Sequence, residues 1–400
     1  MTRSRGVRVG AFMATTLPSL ETRFAADVGT PAELISSLQR RGYQVVGPTV
    51  RDGAIAYDTV ESIEDLPAGW TDEQEPGRYR LKQRRDRALF GYTLSPHSWK
   101  RFLHPPLVRL FRAERESGGF RILENGDGAA PKYALLGVRA CELAAIALQD
   151  RVLLGDRYVD PTYKSRREEA FLVAVQCTQA SSSCFCTSMG TGPKVTGGFD
   201  LLLTEVVDGE SVTYVIEAGS ERGAEVLAEL GLKEAPAKRI KNAEAAVQRA
   251  TAMVKRRMDT AGIRESLYQA FEHPRWDEVA GRCLNCANCT MACPTCFCST
   301  VEDTSDVEGN TAERWRRWDS CFVQSFSYIH GGSVRMSGRS RYRQWLTHKL
   351  AAWIDQFGTS GCVGCGRCIT WCPAGIEITE EVAAIRGGGK TAVVQGETIR

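Results

Sequence analysis

The chain has 400 residues, a length that favours two domains over a single core. Its 51 Lys and Arg against 48 Asp and Glu leave a formal net charge of +3, so the overall charge gives no reason to expect nucleic acid or a membrane surface as a partner. No run of about 18 apolar residues occurs, and the apolar stretch at 11–20 is interrupted by Thr, Ser and Pro, which makes a poor secretion signal. These features predict a cytoplasmic protein.

The first half of the chain alternates helical and strand-like patterns, which is typical of an α/β fold. A helix is predicted over 32–41, followed by a strand over 43–46 that Gly47 and Pro48 end. A second helix is predicted over 142–149. Further strands are predicted over 133–138, 171–175, 201–205 and 211–217. We therefore expect a flexible tail over 1–19 and an α/β domain over 20–232.

The composition changes in the second half. Residues 233–274 are rich in Ala, Lys, Arg and Glu with apolar positions at helical spacing, and predict a connector made of one long helix or a helix pair. From Arg275, Cys and Trp become frequent and regular strand patterns disappear. We expect a second domain over 275–385, with a helix over 339–357, and a C-terminal tail over 386–400.

Two copies of a CxxCxxCxxxCP motif lie in this second domain, from Cys283 to Pro294 and from Cys362 to Pro373. In two-cluster ferredoxins, the cysteine before the proline of each run ligates the cluster of the other run. The predicted ligands of the first 4Fe–4S cluster are Cys283, Cys286, Cys289 and Cys372, and those of the second are Cys362, Cys365, Cys368 and Cys293. Paired CxxC segments also build zinc ribbons, but two identical runs ending in Cys-Pro fit zinc poorly.

Seven of the 15 cysteines lie outside the two runs. Four fall in the α/β domain, and their number matches what a third 4Fe–4S cluster needs: Cys141, Cys177, Cys184 and Cys186. The alternative is a group of buried structural thiols. The other three, Cys296, Cys298 and Cys321, follow or neighbour the first run, and both buried thiols and cluster ligands stay open for them.

No catalytic residues are predicted. No GxGxxG motif follows a predicted strand, and the GKT triplet at 389–391 lacks the glycine of a phosphate loop five positions earlier. We therefore expect neither flavin nor nicotinamide to bind this chain alone. Because NAD(P)H delivers a hydride and clusters accept single electrons, a flavin on another polypeptide must divide the electron pair.

A basic run covers residues 311–350. It holds seven arginines and one lysine against Glu313 and Asp319, a local net charge of +6. A solvated face is the usual meaning of such a run. A role in docking or in tuning cluster potentials is the alternative.

Five further segments are VVGPTVRDG at 45–53, DEQEPG at 72–77, PHSWKR at 96–101, GVRACE at 137–142 and CFCTSMG at 184–190. With the two cysteine runs, they make nearly the whole chain resemble the β subunit of cytoplasmic sulfhydrogenases, which are group 3 NAD(P)-linked nickel–iron hydrogenases. The chain also resembles a related protein that belongs to anaerobic sulfite reductase. The second domain, with helices presenting its cysteine runs, resembles an α-helical ferredoxin.

The resemblance implies an electron-transfer subunit between an NAD(P)H-oxidising flavin subunit and the small and large subunits of a nickel–iron hydrogenase. No cysteine precedes Cys141, so the chain lacks the nickel-binding pair expected near the N-terminus of a hydrogenase large subunit. We therefore expect a non-catalytic relay subunit. Alternatives are the corresponding component of an anaerobic sulfite reductase, a zinc-stabilised interaction scaffold, and an autonomous enzyme with flavin in its α/β domain.

Overall fold

The computed structural model of the chain describes residues 17–124, 130–155 and 157–387. Most of the two predicted tails, residues 1–16 and 388–400, lies outside the described residues. The strands are β1 Arg23–Ala26, β2 Gln44–Arg51, β3 Ala54–Thr59, β4 Trp70–Glu75, β5 Arg78–Gln83, β6 Leu107–Glu116, β7 Gly119–Glu124, β8 Tyr133–Val138, β9 Phe171–Val175, β10 Leu201–Asp208, β11 Ser211–Ala218, β12 Lys233–Glu234, β13 Ser299–Ser305, β14 Thr311–Trp318, β15 Tyr328–Ile329 and β16 Gly332–Ser333.

The helices are α1 Thr30–Arg40, α2 Lys100–Leu103, α3 Ala140–Leu153, α4 Pro161–Glu169, α5 Cys186–Met189, α6 Glu221–Leu230, α7 Ala237–Met253, α8 Ile263–Gln269, α9 Arg275–Arg282, α10 Asn288–Met291, α11 Gly338–Thr347, α12 Trp353–Phe357, α13 Arg367–Thr370 and α14 Ile378–Ile385. Single 3₁₀ turns occur at Ile63–Asp65 and Gln324–Ser327, and a π-helical turn at His348–Ala352 joins α11 to α12.

The first half of the chain forms an eight-stranded sheet in the order β12-β1-β11-β10-β9-β8-β2-β3. Its four central strands, β10, β9, β8 and β2, are parallel. All five residues of β9 are buried, because α1 and α6 pack on one face of the sheet and α2, α3 and α4 on the other. This arrangement confirms the mixed α/β character expected for the first half.

The strands predicted over 133–138 and 171–175 coincide with β8 and β9, and the helix pair α7 and α8 occupies the predicted connector. The strand predicted to end at Gly47 instead continues to Arg51, so that boundary is wrong. The N–H of Gln44 points toward the β8 side of β2, and so does the backbone nitrogen of Pro48 four residues later. Since β2 pairs with β8 only as far as Val46, Pro48 removes no ladder hydrogen bond.

A smaller antiparallel sheet, in the order β13-β14-β6-β7, joins the two halves of the sequence. The hairpin β13–β14 lies between the cysteine runs, so the expectation that regular strands disappear after Arg275 is wrong. The hairpin lacks an apolar alternation because β13 is largely exposed. Charged cross-strand pairs such as Asp303 with Arg314 stabilise it instead.

Helices dominate the rest of the second half. The helix predicted over 339–357 is present as α11, the π turn and α12. Together with α8, α9 and α14, it surrounds a core that includes Trp276, Leu346 and Ile369. Several arginines of the basic run pair with carboxylates from other segments, namely Arg314 with Asp303, Arg316 with Asp160, Arg317 with Glu302, and Arg339 and Arg343 with Glu272. Much of the local excess of positive charge is thereby neutralised.

Candidate iron–sulfur sites

The two cysteine runs share one backbone form. On either side of the second cysteine, each run has residues with positive φ, which are Asn285 and Ala287 in the first run and Gly364 and Gly366 in the second. The N–H of Asn285 donates to Cys283 Sγ at 3.4 Å, and the N–H of Gly364 donates to Cys362 Sγ at the same distance. The one-turn helices α10 and α13 then carry the third cysteines. Such N–H donors favour the thiolate and raise the reduction potential of a cluster.

The first predicted ligand set lies around one cavity. Cys283, Cys286, Cys289 and Cys372 all line it, so the last cysteine of the second run does reach the first run. The rest of the wall is apolar, with Phe322, Tyr342 and Trp345 among its residues. Burial raises the pKa of the Cys289 thiol well above its usual value. Binding of iron to that sulfur therefore has to displace a proton.

The second predicted set also comes together. Cys293 lies close enough to Cys362, Cys365 and Cys368 to raise the pKa of each thiol, although burial is the largest cause for all three. Lys349, in the π turn, donates to Cys293 Sγ at 3.3 Å and to the carbonyl oxygen of Gly361 at 3.1 Å. This ammonium group therefore holds the end of the first run against the beginning of the second.

The four cysteines of the α/β domain line a further cavity. Cys141 begins α3, immediately after β8, and Cys177 follows the end of β9 by two residues. Since β8 and β9 are neighbouring parallel strands, their carboxyl ends lie at the same edge of the sheet. Cys184 and Cys186 complete the group from the loop before and at the start of α5, and Cys365 of the second run lines the same cavity. Burial raises the pKa of the Cys141, Cys177 and Cys184 thiols.

The second run packs directly on the loop that carries Cys184 and Cys186. The N–H of Phe185 donates to the carbonyl oxygen of Gly364 at 2.8 Å. A Cβ at Gly366 would lie 2.5 Å from the carbonyl oxygen of Ser183, so only glycine fits there. The first run has Asn285 and Ala287 at the equivalent positions, because its own loop faces solvent and leaves Cys286 exposed.

The second run is also tied to the sheet by a buried ion pair. Arg367, which has no exposed surface, pairs with Glu142, which is 1% exposed. Glu142 accepts further hydrogen bonds from Tyr57 Oη at 3.1 Å and Trp99 Nε1 at 3.0 Å. Arg367 also donates to the carbonyl oxygen of Ser95 at 2.9 Å. Every residue of this network except Arg367 belongs to the α/β half of the chain.

Segments singled out in the sequence therefore meet at the second run. Besides Glu142 and Phe185, Gln74 of the segment at 72–77 accepts from Thr370 Oγ1 at 3.0 Å, and Gly77 N–H donates to the carbonyl oxygen of Ile369 at 3.1 Å. His97 accepts from Arg367 through its carbonyl oxygen at 3.1 Å. The chain thus builds a close-fitting seat for one cysteine run.

The three cavities or groups form a series. Cys368 of the second run lines the cavity of the first site, and Cys365 lines the cavity in the α/β domain. The second site therefore lies between the other two. At one end of the series Leu284 is 67% exposed beside the first site, and at the other end Cys141, Cys184 and Cys186 are buried.

Cys296, Cys298 and Cys321 had no assigned role in the sequence, and the structure groups them next to the first run. The side chains of Cys298 and Cys321 hydrogen-bond to each other, and those of Cys293 and Cys296 do the same. The nearness of Cys296 and Cys298 to the first run is visible in the sequence. The position of Cys321 is not, because the hairpin β13–β14 returns it from 23 residues further along.

The thiol groups suit a polynuclear cluster. Within the described ranges, no three or more His, Cys, Asp or Glu side chains are placed to hold a single metal ion. A four-iron cluster binds each thiolate at a separate corner and so needs a cavity between its ligands. The cysteine-lined cavities and the N–H donors to sulfur fit that requirement.

An α/β sheet domain joined to duplicated cysteine runs that exchange their last cysteine defines an iron–sulfur electron-transfer subunit. Residues 282–376 match the family model of a 4Fe–4S dicluster domain. The chain is 30% identical over 360 residues to sulfhydrogenase 2 subunit beta of Pyrococcus furiosus, a match that covers 89% of this chain and 96% of that relative. It belongs to the family of sulfhydrogenase β subunits. No solved structure matches the chain, and no helix in the described part of the chain is long and apolar enough to cross a membrane.

Replacing Cys372 by serine is expected to damage the first cluster and to leave the second nearly intact, because Cys372 lines the cavity of the first run. The loss should amount to about four irons per chain. Iron analysis and spectroscopy of the anaerobically purified protein measure it, with Cys293→Ser as the matched variant that should damage the second cluster instead. Loss from the cluster of Cys362, Cys365 and Cys368 in the Cys372→Ser protein would contradict the exchange of ligands.

The double variant Cys184→Ser and Cys186→Ser tests the site in the α/β domain. If the four thiols hold a third cluster, this protein should contain about four irons fewer than the wild type, with both ferredoxin-type signals kept. Ser181→Ala is the control, since Ser181 Oγ contacts Cys184 Sγ at 3.3 Å without being a thiol. An unchanged iron content would return the four cysteines to a structural role.

Proposed function

We propose that this chain relays single electrons through 4Fe–4S clusters between an NAD(P)H-oxidising flavin subunit and a nickel–iron hydrogenase module in the cytoplasm. The observation that carries the proposal is the unbroken series of thiol sites, from the buried group in the α/β domain, past Cys365 and Cys368, to the exposed first run. A relay needs neighbouring redox centres with at least one near the surface.

In this proposal the two ferredoxin-type clusters are held by the exchanged ligand sets, and a third by Cys141, Cys177, Cys184 and Cys186. The clusters supply one-electron chemistry when bound. The protein's residues hold them, exclude water and set their potentials. Phe322, Tyr342 and Trp345 keep water from the first site, and backbone N–H groups donate to its sulfurs.

The domain arrangement belongs to the same proposal. We place an α/β domain over 20–232, a helical connector over 233–274 and an α-helical ferredoxin-like domain over 275–385. The helices around the cysteine runs support the last assignment. The hairpin β13–β14 is an insertion in that domain that pairs with β6 of the first domain and fixes the two together.

The partners are inferred from the chemistry and from the relative. A hydride donor requires a flavin before one-electron centres can be used, and neither a phosphate loop nor a dinucleotide motif is present in this sequence. The relative is by name one component of a sulfhydrogenase. Flavin and hydrogenase subunits at the two ends of the relay are consistent with both observations.

Anaerobic purification of the tagged chain from its native host tests the partners. We expect flavin and nickel to co-purify with it in a fixed ratio to the chain, and hydrogen-dependent NAD(P)⁺ reduction to accompany them. The same preparation from a tagged variant that lacks Cys283 and Cys286 serves as the control for cluster-dependent assembly. A complex with sirohaem and without nickel would overturn the choice of hydrogenase.

A further inference from the structure

The base of the hairpin β13–β14 brings three cysteines together that neither ferredoxin-type site uses. The last ladder pair is Ser299 with Trp318, and the N–H of Asp319 then donates to the carbonyl oxygen of Cys298 at 2.8 Å. This extra rung places the chain so that the Cys321 side chain meets that of Cys298. Cys296, two residues earlier, meets Cys293. The hairpin thus gathers thiols at its base.

Two buried lysines face the same group. Lys100 of α2 is 6% exposed, donates to the carbonyl oxygen of Cys296 at 2.9 Å and lies 3.9 Å from the centre of the Trp318 ring. Lys349 is 5% exposed and donates to Cys293 Sγ and to Thr295 Oγ1. Neither ammonium group has a carboxylate within ion-pair distance among residues 17–124, 130–155 and 157–387.

Buried cations of this kind require nearby negative charge, since an uncompensated ammonium group is costly inside a protein. Cys293 supplies part of it if it ligates the second cluster. The charged and ionisable groups that act on Lys100 are Lys349 and the thiols of Cys293, Cys296 and Cys298. A second lysine adds to the demand, so the additional thiols have to contribute anionic sulfur.

We propose that Cys296, Cys298 and Cys321 ligate a further iron–sulfur cluster, held by three protein thiolates and charge-compensated by Lys100 and Lys349. Three thiolates suit a three-iron cluster, or a four-iron cluster whose last iron takes a ligand from outside the protein. The site differs in this from both ferredoxin-type sets, which have four cysteines each. It also accounts for the hairpin, which serves to return Cys321 to the run.

The position of this site suits exchange of electrons with both ferredoxin-type clusters. Cys321 lies close enough to Cys289 of the first set for the two sulfurs to interact, and Cys296 contacts Cys293 of the second set. The proposal goes beyond the relay described above, because that relay requires only the other three thiol groups. Its failure would therefore leave the proposed function standing.

The test uses the full chain purified anaerobically with its clusters. In the double variant Cys298→Ser and Cys321→Ser we expect a loss of roughly three or four irons per chain, one cluster's content, while Cys283, Cys362 and their partners retain theirs. Ser299→Ala, in the same hairpin, is the control and should keep the wild-type iron content.

A second measurement needs no variant. In the native wild-type protein, Cys296, Cys298 and Cys321 should resist alkylation by iodoacetamide until iron is removed with a chelator, and mass spectrometry should then find all three modified. The proposal is overturned if the double variant keeps all its iron. Recovery of Cys298 and Cys321 as a disulfide from protein that has kept its full iron content would overturn it as well.

Discussion

Replacing Arg367 by methionine is expected to destabilise the protein by about 3–5 kcal/mol, the typical effect of breaking a buried ion pair from one side. The substitution leaves the Glu142 carboxylate buried in a region with almost no water, and it removes the hydrogen bonds to the carbonyl oxygens of Ser95 and His97. A large fall in the midpoint of thermal unfolding of the cluster-loaded protein should follow, together with a lower soluble yield.

Two further variants make this result specific. Arg78→Met breaks the exposed pair with Glu75 and should hardly change the unfolding midpoint. Adding Glu142→Gln to Arg367→Met should recover part of the loss, because the amide carries no charge and its oxygen still accepts from Tyr57 and Trp99. The assignment fails if Arg367→Met lowers the midpoint no more than Arg78→Met does.

The local features of this protein were readable in its sequence. The strands β8 and β9 and helix α3 appear where apolar periodicity predicts them, since their side chains are buried by a sheet with helices on both faces. The motif spacing also predicted that Cys372 would lie with the first run, where the structure puts it. Both inferences depend only on patterns within a short stretch of chain or on a duplicated motif.

Features that depend on distant pairing were not readable. The hairpin β13–β14 is stabilised by charged pairs and by β6, almost 200 residues away, and has no apolar period. The family segments around Gln74, His97 and Glu142 were recognisable as strings of residues, but their common contact with the second run emerges only in three dimensions. The same holds for Cys321, which reaches Cys298 by way of the hairpin.

Glycine usage shows both sides of this limit. The two runs have equivalent backbones with positive φ, yet the first tolerates Asn285 and Ala287 where the second has Gly364 and Gly366. The difference is visible in the sequence. Its cause is the contact of the second run with the backbone of Ser183 and Phe185, which no local pattern announces.

The relay itself is tested most directly by Cys365→Ala in the assembled complex. Cys365 belongs to the second ferredoxin-type set and also lines the cavity in the α/β domain, so its loss should interrupt the series of sites at the middle. We expect hydrogen-dependent reduction of NAD(P)⁺ to fall to background. The flavin subunit should still reduce dyes with NAD(P)H, and the hydrogenase should still reduce dyes with hydrogen, which controls for assembly.

The measurement is the rate of hydrogen-dependent NAD(P)⁺ reduction by a complex whose iron content has been determined. A complete loss of this rate, with both dye activities kept and about four irons missing, is the result that the relay predicts. Persistence of the wild-type rate in a complex shown to lack that cluster would place this chain off the electron path.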